Sequence, residues 1–129
     1  MSKKAIGSNA ERELVRLFWQ NGWAACRVAG SGSMRYPSPD IIASNGKNLF
    51  LIECKYSSED SVYLPTQEVA DLQSVAEKFA ATPLIGSRFS KQGWLFVSPK
   101  DLPRTQKFVV VKRNHAGGTK FETLMQQGL

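Results

Sequence analysis

Histidine is almost absent from this chain. The one copy, His115, leaves a His-rich zinc site and a His-dependent nucleophilic triad poorly supplied. The two cysteines, Cys26 and Cys54, make neither a disulfide scaffold nor a four-ligand zinc site, and both read as small buried hydrophobes. Long apolar runs are missing as well. The longest, Leu49-Phe50-Leu51-Ile52, is strand-sized and far short of the ~20 residues that span a bilayer, so no membrane association is expected. The opening Met1-Ser2-Lys3-Lys4 is positive with no apolar segment behind it, which speaks against a secretory signal and for a cytoplasmic protein. Repeats and low-complexity tracts are lacking too.

What is present is ordinary in amount and unusual in charge. With 129 residues, 42% of them apolar and 22% charged, the chain reads as a single globular domain over 1–129 with a core of its own. Seventeen Lys and Arg against eleven Asp and Glu leave a net charge of +6. Such an excess favours a polyanionic partner, whether DNA, RNA or an anionic membrane face.

The pattern along the chain alternates helices and strands. Ser8-Asn9-Ala10-Glu11 fits a capping box and starts a helix over 8–21, with Ala10, Leu14, Val15, Leu17 and Phe18 at helical spacing and Asn21-Gly22 as the stop. Trp23 to Ala29 reads as a strand. Residues 30–39, rich in Gly, Ser and Pro, read as a flexible and functional loop. Asp40 to Ser44 and Lys47 to Lys55 form a hairpin about an Asn45-Gly46 turn. Residues 56–64 are polar and ambiguous. A second helix is expected over 66–81, with Val69, Leu72, Val75, Ala76 and Phe79 as its stripe. Strands follow at Leu84 to Phe89, Gly93 to Val97 and Lys107 to Lys112, then a short helix over 119–126 with Phe121, Leu124 and Met125 inward. The fold class is therefore α/β, a mixed sheet with helices packed on it.

The hairpin carries the chemistry. A two-residue turn places Asp40 opposite Leu51 and makes Glu53 its diagonal neighbour on the same face, with Lys55 beside them and Ile52 and Cys54 turned away. Two carboxylates so close repel unless a cation lies between them, and Mg²⁺ accepts such oxygen ligands while keeping several waters. A neighbouring ammonium can stabilise the charge of a phosphorane-like transition state. That outlines a phosphodiester-hydrolysis site; a surface hairpin with an Asp40–Lys55 or Glu53–Lys55 ion pair is the plainer alternative. Glu11 shares the face of 14, 15 and 18, so it is either the cap partner of Ser8 or a third inward carboxylate. Glu13 and Arg16 fall off that stripe. Arg12 and Arg16 lie one turn apart, as on a phosphate-contacting face or any solvated one, and Arg27 and Arg35 are further phosphate-contact candidates. Lys3-Lys4 and Lys112-Arg113 read as solvated, and His115 as a loop residue. Trp19, Trp23, Trp94, Phe50, Phe79, Phe89, Phe96 and Phe108 read as core.

In order, Gly7-x-x-x-Glu11-Arg12-Glu13-Leu14-Val15, Arg27-Val28-Ala29-Gly30-Ser31, Pro39-Asp40-Ile41-Ile42-Ala43 and Ile52-Glu53-Cys54-Lys55 resemble the archaeal Holliday-junction resolvases, within the PD-(D/E)xK nuclease superfamily. The likeness runs from about residue 5 to the strand around Phe108-Val109-Val110. It implies a restriction-endonuclease-like mixed sheet flanked by helices. It also implies homodimers that bind four-way DNA junctions by shape and cut two opposing strands symmetrically with a divalent metal, Mg²⁺ with Mn²⁺ as substitute, leaving 5′-phosphates, in recombination and repair. Carried over by position, Glu11, Asp40 and Glu53 would be the metal carboxylates and Lys55 the transition-state cation. Ser31 would be the active-site serine, and Arg12, Arg27, Arg35 and Arg88 the DNA contacts. Phe79 and its helix would face the dimer partner. The loop 32–39 is longer and richer in Ser and Pro than the family pattern, and Cys54 stands where Val is usual. A contact of the tail 119–129 with a sliding clamp is conceivable, without a sound motif for it. Two other readings compete: a restriction or repair nuclease of the same superfamily acting on duplex, and a non-catalytic domain that binds branched nucleic acid.

Overall fold

The structure is a computed structural model, and it describes residues 2–30, 35–103 and 107–127. Helix α1 spans Lys3–Gln20, and strand β1 (Ala24–Arg27), strand β2 (Ile41–Ser44), strand β3 (Leu49–Ser57) and strand β4 (Ser61–Pro65) follow. Helix α2 (Thr66–Lys78) leads to β5 (Thr82–Phe89), β6 (Gly93–Val97), β7 (Phe108–Lys112), β8 (Thr119–Lys120) and helix α3 (Phe121–Gln127). Six strands form one mixed sheet in the order β1-β2-β3-β5-β6-β8, with β3 and β5 parallel and every other neighbouring pair antiparallel. Strands β4 and β7 pair separately as an antiparallel ribbon. The expected mixed α/β sheet is therefore present.

Alternation along the strands divides the apolar side chains between the two sheet faces. Phe50 and Ile52 of β3 join Leu14 and Phe18 of α1 and Phe121 and Leu124 of α3. Leu51 faces the other way, into a cluster with Val69, Leu72 and Ala76 of α2 and with Val62, Leu64, Val109 and Val111 of the ribbon. The tail considered for a clamp contact is thus built into the fold, since Phe121 and Leu124 are core residues. Among the described residues no helix is long and apolar enough to cross a membrane.

Three local expectations need correction. The N-cap of α1 lies six residues before the expected Ser8: it is Ser2, whose Oγ accepts from the Ala5 amide at 3.1 Å. Lys3, Lys4 and Ala5 are good helix formers and extend the helix back to that serine. Ser8 and Glu11 therefore lie inside the helix, and Glu11 is no cap residue.

The hairpin turn is longer than two residues. Ser44 pairs with Leu49 and Ile41 with Ile52, so the register is moved by two from the expected one. Asn45 makes this turn: its Oδ1 accepts from the Lys47 and Asn48 amides at 2.9 and 2.7 Å, and Gly46 takes a φ of +91°. An even shift keeps every side chain on its expected face. Of the eight aromatic residues assigned to the core, Trp23, Trp94, Phe50, Phe89 and Phe96 are buried, whereas Trp19, Phe79 and Phe108 are exposed. Phe79 follows the last residue of α2 as its C-cap and so leaves the helix's buried stripe.

Candidate active site

The moved register brings the two hairpin carboxylates closer than the diagonal that the sequence suggests. The ladder ends at the Ile41–Ile52 pair, and the side chain of Asp40, just before it, shares a hydrogen bond with that of Glu53. Backbone bonds fix this end of the hairpin: the Asp40 amide donates to Ile52 O at 3.0 Å and the Val28 amide to Asp40 O at 2.8 Å. The Asp40 side chain is buried, and its Oδ2 accepts from the Cys54 amide at 2.8 Å. Glu53 is pushed up to about 9, first by burial and then by the charge and hydrogen bond of Asp40, against the opposing pull of Lys55. Without a cation Glu53 therefore keeps its proton at neutral pH beside Asp40.

These groups line one cleft of about 520 Å³. Glu11 of α1 borders it on one side and Glu68, Asp71, Leu72 and Val75 of α2 on the other. Arg35, Tyr36, Pro37 and Ser38, just before Asp40, complete the wall with Glu53, Cys54 and Lys55. Burial raises the Glu11 pKa, and the Asp40 charge adds to this, while the Arg27 hydrogen bond opposes it. The Cys54 thiol belongs to the core cluster beneath α1 and is pushed well up by burial and by the surrounding carboxylates, so it is a poor nucleophile. Cys26, in contrast to its expected burial, is exposed.

Asp40, Glu53, Lys55 and Glu11 are thus brought together, with Arg35 at the rim. Arg35 is exposed, with its guanidinium 5.5 Å from the Tyr36 ring centre. Arg12 is exposed on the outer side of α1. Two expected DNA contacts are half-buried and engaged with other side chains of the protein. Arg27 donates to Glu11 Oε1 at 2.8 Å and to Ser8 Oγ at 3.1 Å, so it orients a carboxylate of the cleft. Arg88 donates to Glu13 Oε1 at 3.1 Å and to Phe89 O at 2.9 Å. Glu13 also accepts from Trp94 Nε1 at 2.9 Å, so it faces the sheet after all, bridging α1 to β5 and β6. Arg113, read as solvated, instead bonds Ser90 O and Glu59 O, pairs with Asp60 and lies over the Phe89 ring. Ser31 lies outside the described residues.

The donor set suits a hard divalent ion. Among the described residues no three Asp, Glu, His or Cys side chains converge as a closed cage. Mg²⁺ does not ask for one: it binds through one or two carboxylates and fills its octahedron with waters and phosphate oxygens. The abutting Asp40–Glu53 pair meets that demand, with Glu11 nearby but held by Arg27.

The sequence reading missed Glu68. Its Oε2 lies 3.3 Å from Lys55 Nζ. The signal was available, since positions 68, 72 and 75 share one helix face, and Leu72 and Val75 were already assigned inward.

An α/β mixed sheet with an Asp and a Glu-x-Lys at one strand pair defines a restriction-endonuclease-like nuclease domain. The family model for archaeal Holliday junction resolvases matches residues 2–128. A crossover junction endodeoxyribonuclease of Archaeoglobus fulgidus is 38% identical over 104 residues, covering 81% of this chain and 76% of that protein. One from Methanocaldococcus jannaschii is 32% identical over 123 residues, covering 95% and 88%. The solved structure of the Archaeoglobus fulgidus Holliday junction resolvase superposes with a TM-score of 0.85 at 32% identity, covering 92% of this chain and 99% of that one. The chain belongs to the archaeal Holliday junction resolvase family.

Proposed function

We propose that this chain, an endonuclease of the junction-resolving family, binds four-way DNA junctions as a homodimer and cuts two opposing strands by Mg²⁺-dependent hydrolysis that leaves 5′-phosphates. The observation that carries the reading is the abutting Asp40–Glu53 carboxylate pair with the Lys55 ammonium on the same strand face, in a cleft of a basic protein. Asp40 and Glu53 would hold the ion. An ion held there would neutralise the pair, polarise the phosphodiester and acidify a water. Lys55 meets the charge that develops on the phosphate oxygens. Glu11, aimed by Arg27, lies where it can order a water at the cleft wall. Hard oxygen donors also suit Mn²⁺, which should substitute. Ser31 keeps the active-site role that the family likeness implies, and the exposed Arg12 and Arg35 are the stronger candidates for backbone contact.

A second copy has a face to cover. On the ribbon, Ser61, Tyr63 and Pro65 share one side with Phe108, Val110 and Lys112. Tyr63 is 61% and Phe108 44% exposed there. Pairing through this face, or through the exposed Phe79 at the end of α2 that the family likeness turns towards a partner, would match a two-fold protein to a two-fold junction. Such a protein belongs beside DNA, in the cytoplasm at the nucleoid.

A mobile four-way junction and a linear duplex of matching sequence, each with Mg²⁺ or EDTA, test the reading. Cleavage of the junction alone, in Mg²⁺ alone, is expected, and Asp40→Asn and Glu53→Gln should abolish it with junction binding intact. Cutting of both substrates at one sequence favours a restriction-type activity. Tight binding without nicking favours a non-catalytic module.

A further inference from the structure

We propose that Glu68 is a positioning residue for the nuclease reaction, seating the Lys55 ammonium at the mouth of the cleft; the inference rests on the nuclease reading of this site. Lys55 leaves β3 on the face that carries Leu51 and packs against α2. Helix α2 starts at Thr66, directly after β4, so Glu68 lies in its first turn and shares the inward face of Leu72 and Val75. The two side chains therefore meet, with Lys55 Nζ 3.3 Å from Glu68 Oε2.

The character of this contact sets it apart from a plain surface ion pair. Among the described residues two buried side-chain oxygens have no hydrogen-bond partner, Glu68 Oε2 and the Ser87 hydroxyl. Both flank Lys55, because Ser87 is its register partner on β5 and leaves the sheet on the same side. An ammonium carries three donors and no acceptor. Two buried acceptors without donors, placed about one such group, form a seat that a small swing of the lysine would complete. By contrast, Oε1 of Glu13, on the opposite sheet face, accepts from both Arg88 and Trp94. That pair is built to hold elements together, and the Lys55–Glu68 pair is not. Lys55 also acts on Glu53 through its charge, so the seat lies within electrostatic reach of the carboxylates. A lysine stem has four rotatable bonds, and an ammonium left unheld there would spread over many positions.

Glu68→Gln keeps the shape of the side chain and removes its charge, Glu68→Asp keeps the charge, and Glu77→Gln on the exposed side of α2 is the control. Single-turnover junction cleavage in Mg²⁺ should fall ~10-fold or more in Glu68→Gln, as small misplacements of a catalytic group do. Binding in EDTA should stay within about two-fold, and Glu68→Asp should recover part of the rate. In a Lys55→Met background, Glu68→Gln should change the residual rate no further, since a residue that acts through another is non-additive with it. Carbon relaxation of the Lys55 ε-methylene, read without DNA, should show more motion in Glu68→Gln and none added in Glu77→Gln. Wild-type cleavage by Glu68→Gln, full additivity with Lys55→Met, or an unchanged Lys55 ε-methylene would each overturn the assignment. A wild-type protein that cuts neither junction nor duplex would instead sink the nuclease reading, while the relaxation measurement still decides whether Glu68 seats the lysine.

Discussion

Glu53, a proposed metal ligand, shows how a single residue couples proton and stability. In the free protein its pKa is raised to about 9 by burial and by Asp40, against 4.5 for an unperturbed glutamate. Between those values the folded chain holds a proton that the unfolded chain has released. Stability from this group is complete below about pH 4.5 and declines as pH rises towards 9. A divalent ion needs the charged form, so its binding must expel that proton. Calorimetry in buffers of different ionisation enthalpy should therefore find proton release on Mg²⁺ binding at pH 7. The apparent affinity should strengthen towards pH 9, and Glu53→Gln should remove both the release and the decline of metal-free stability with pH. The arginines separate in the same residue-by-residue way. Arg12 is exposed, so Arg12→Ala should lower the salt slope of junction binding by about one unit. Arg27 is engaged with Glu11 and Ser8, so Arg27→Ala should lower it by less and slow cleavage instead, as a filter-binding series across salt and a single-turnover assay would reveal.

At the level of elements, α1 is held by Phe18, which is fully buried between Trp23 and Phe121 with ring centres 5.4 and 5.3 Å away. Truncation there opens a cavity that rigid strands cannot fill, and Phe18→Ala should cost about 3–5 kcal/mol in denaturant unfolding. Because Glu11 rides on the same helix, residual activity should fall with it even where the fold survives. Most of this architecture was legible in the chain. Apolar stripes at helical spacing, alternation in the strands and the Asn45-Gly46 turn placed the hairpin, both long helices and the face that carries Asp40, Glu53 and Lys55. Most of what escaped at the site was of one kind: contacts between elements distant in sequence. Arg27 to Glu11, Arg88 to Glu13 and Lys55 to Glu68 join side chains whose polarity alone reads as solvation. The helix start at Ser2 and the four-residue hairpin loop were missed for another reason. Short side chains at both places offer local hydrogen bonds to more than one backbone arrangement. The hairpin error was harmless, since a two-residue slip preserves which face each side chain takes; a slip of one would have turned Glu53 into the core.

On the scale of the whole molecule, the proposed reaction asks one cleft per chain to account for two cuts per junction. Each cut needs its own hydrolysis, so the proposed paired reaction would require two copies held in fixed relation. The ribbon of β4 and β7 presents Tyr63 beside its register partner Val110 on an outward face, while Val62, Leu64, Val109 and Val111 behind them complete the core. Charge placed on that outward face should break association and leave the fold standing, because none of the buried side chains is touched. Tyr63→Glu combined with Val110→Glu is therefore expected to sediment as a monomer where the parent sediments as a dimer, with unchanged circular dichroism. A cruciform plasmid then reads the consequence. The parent should give linear product, as two nicks fall within the lifetime of one complex. The monomeric variant should give nicked circles, since once one strand is cut the relaxed plasmid reabsorbs the cruciform before a second enzyme arrives. Linear product from a proven monomer would show that pairing of the cuts does not depend on pairing of the chains.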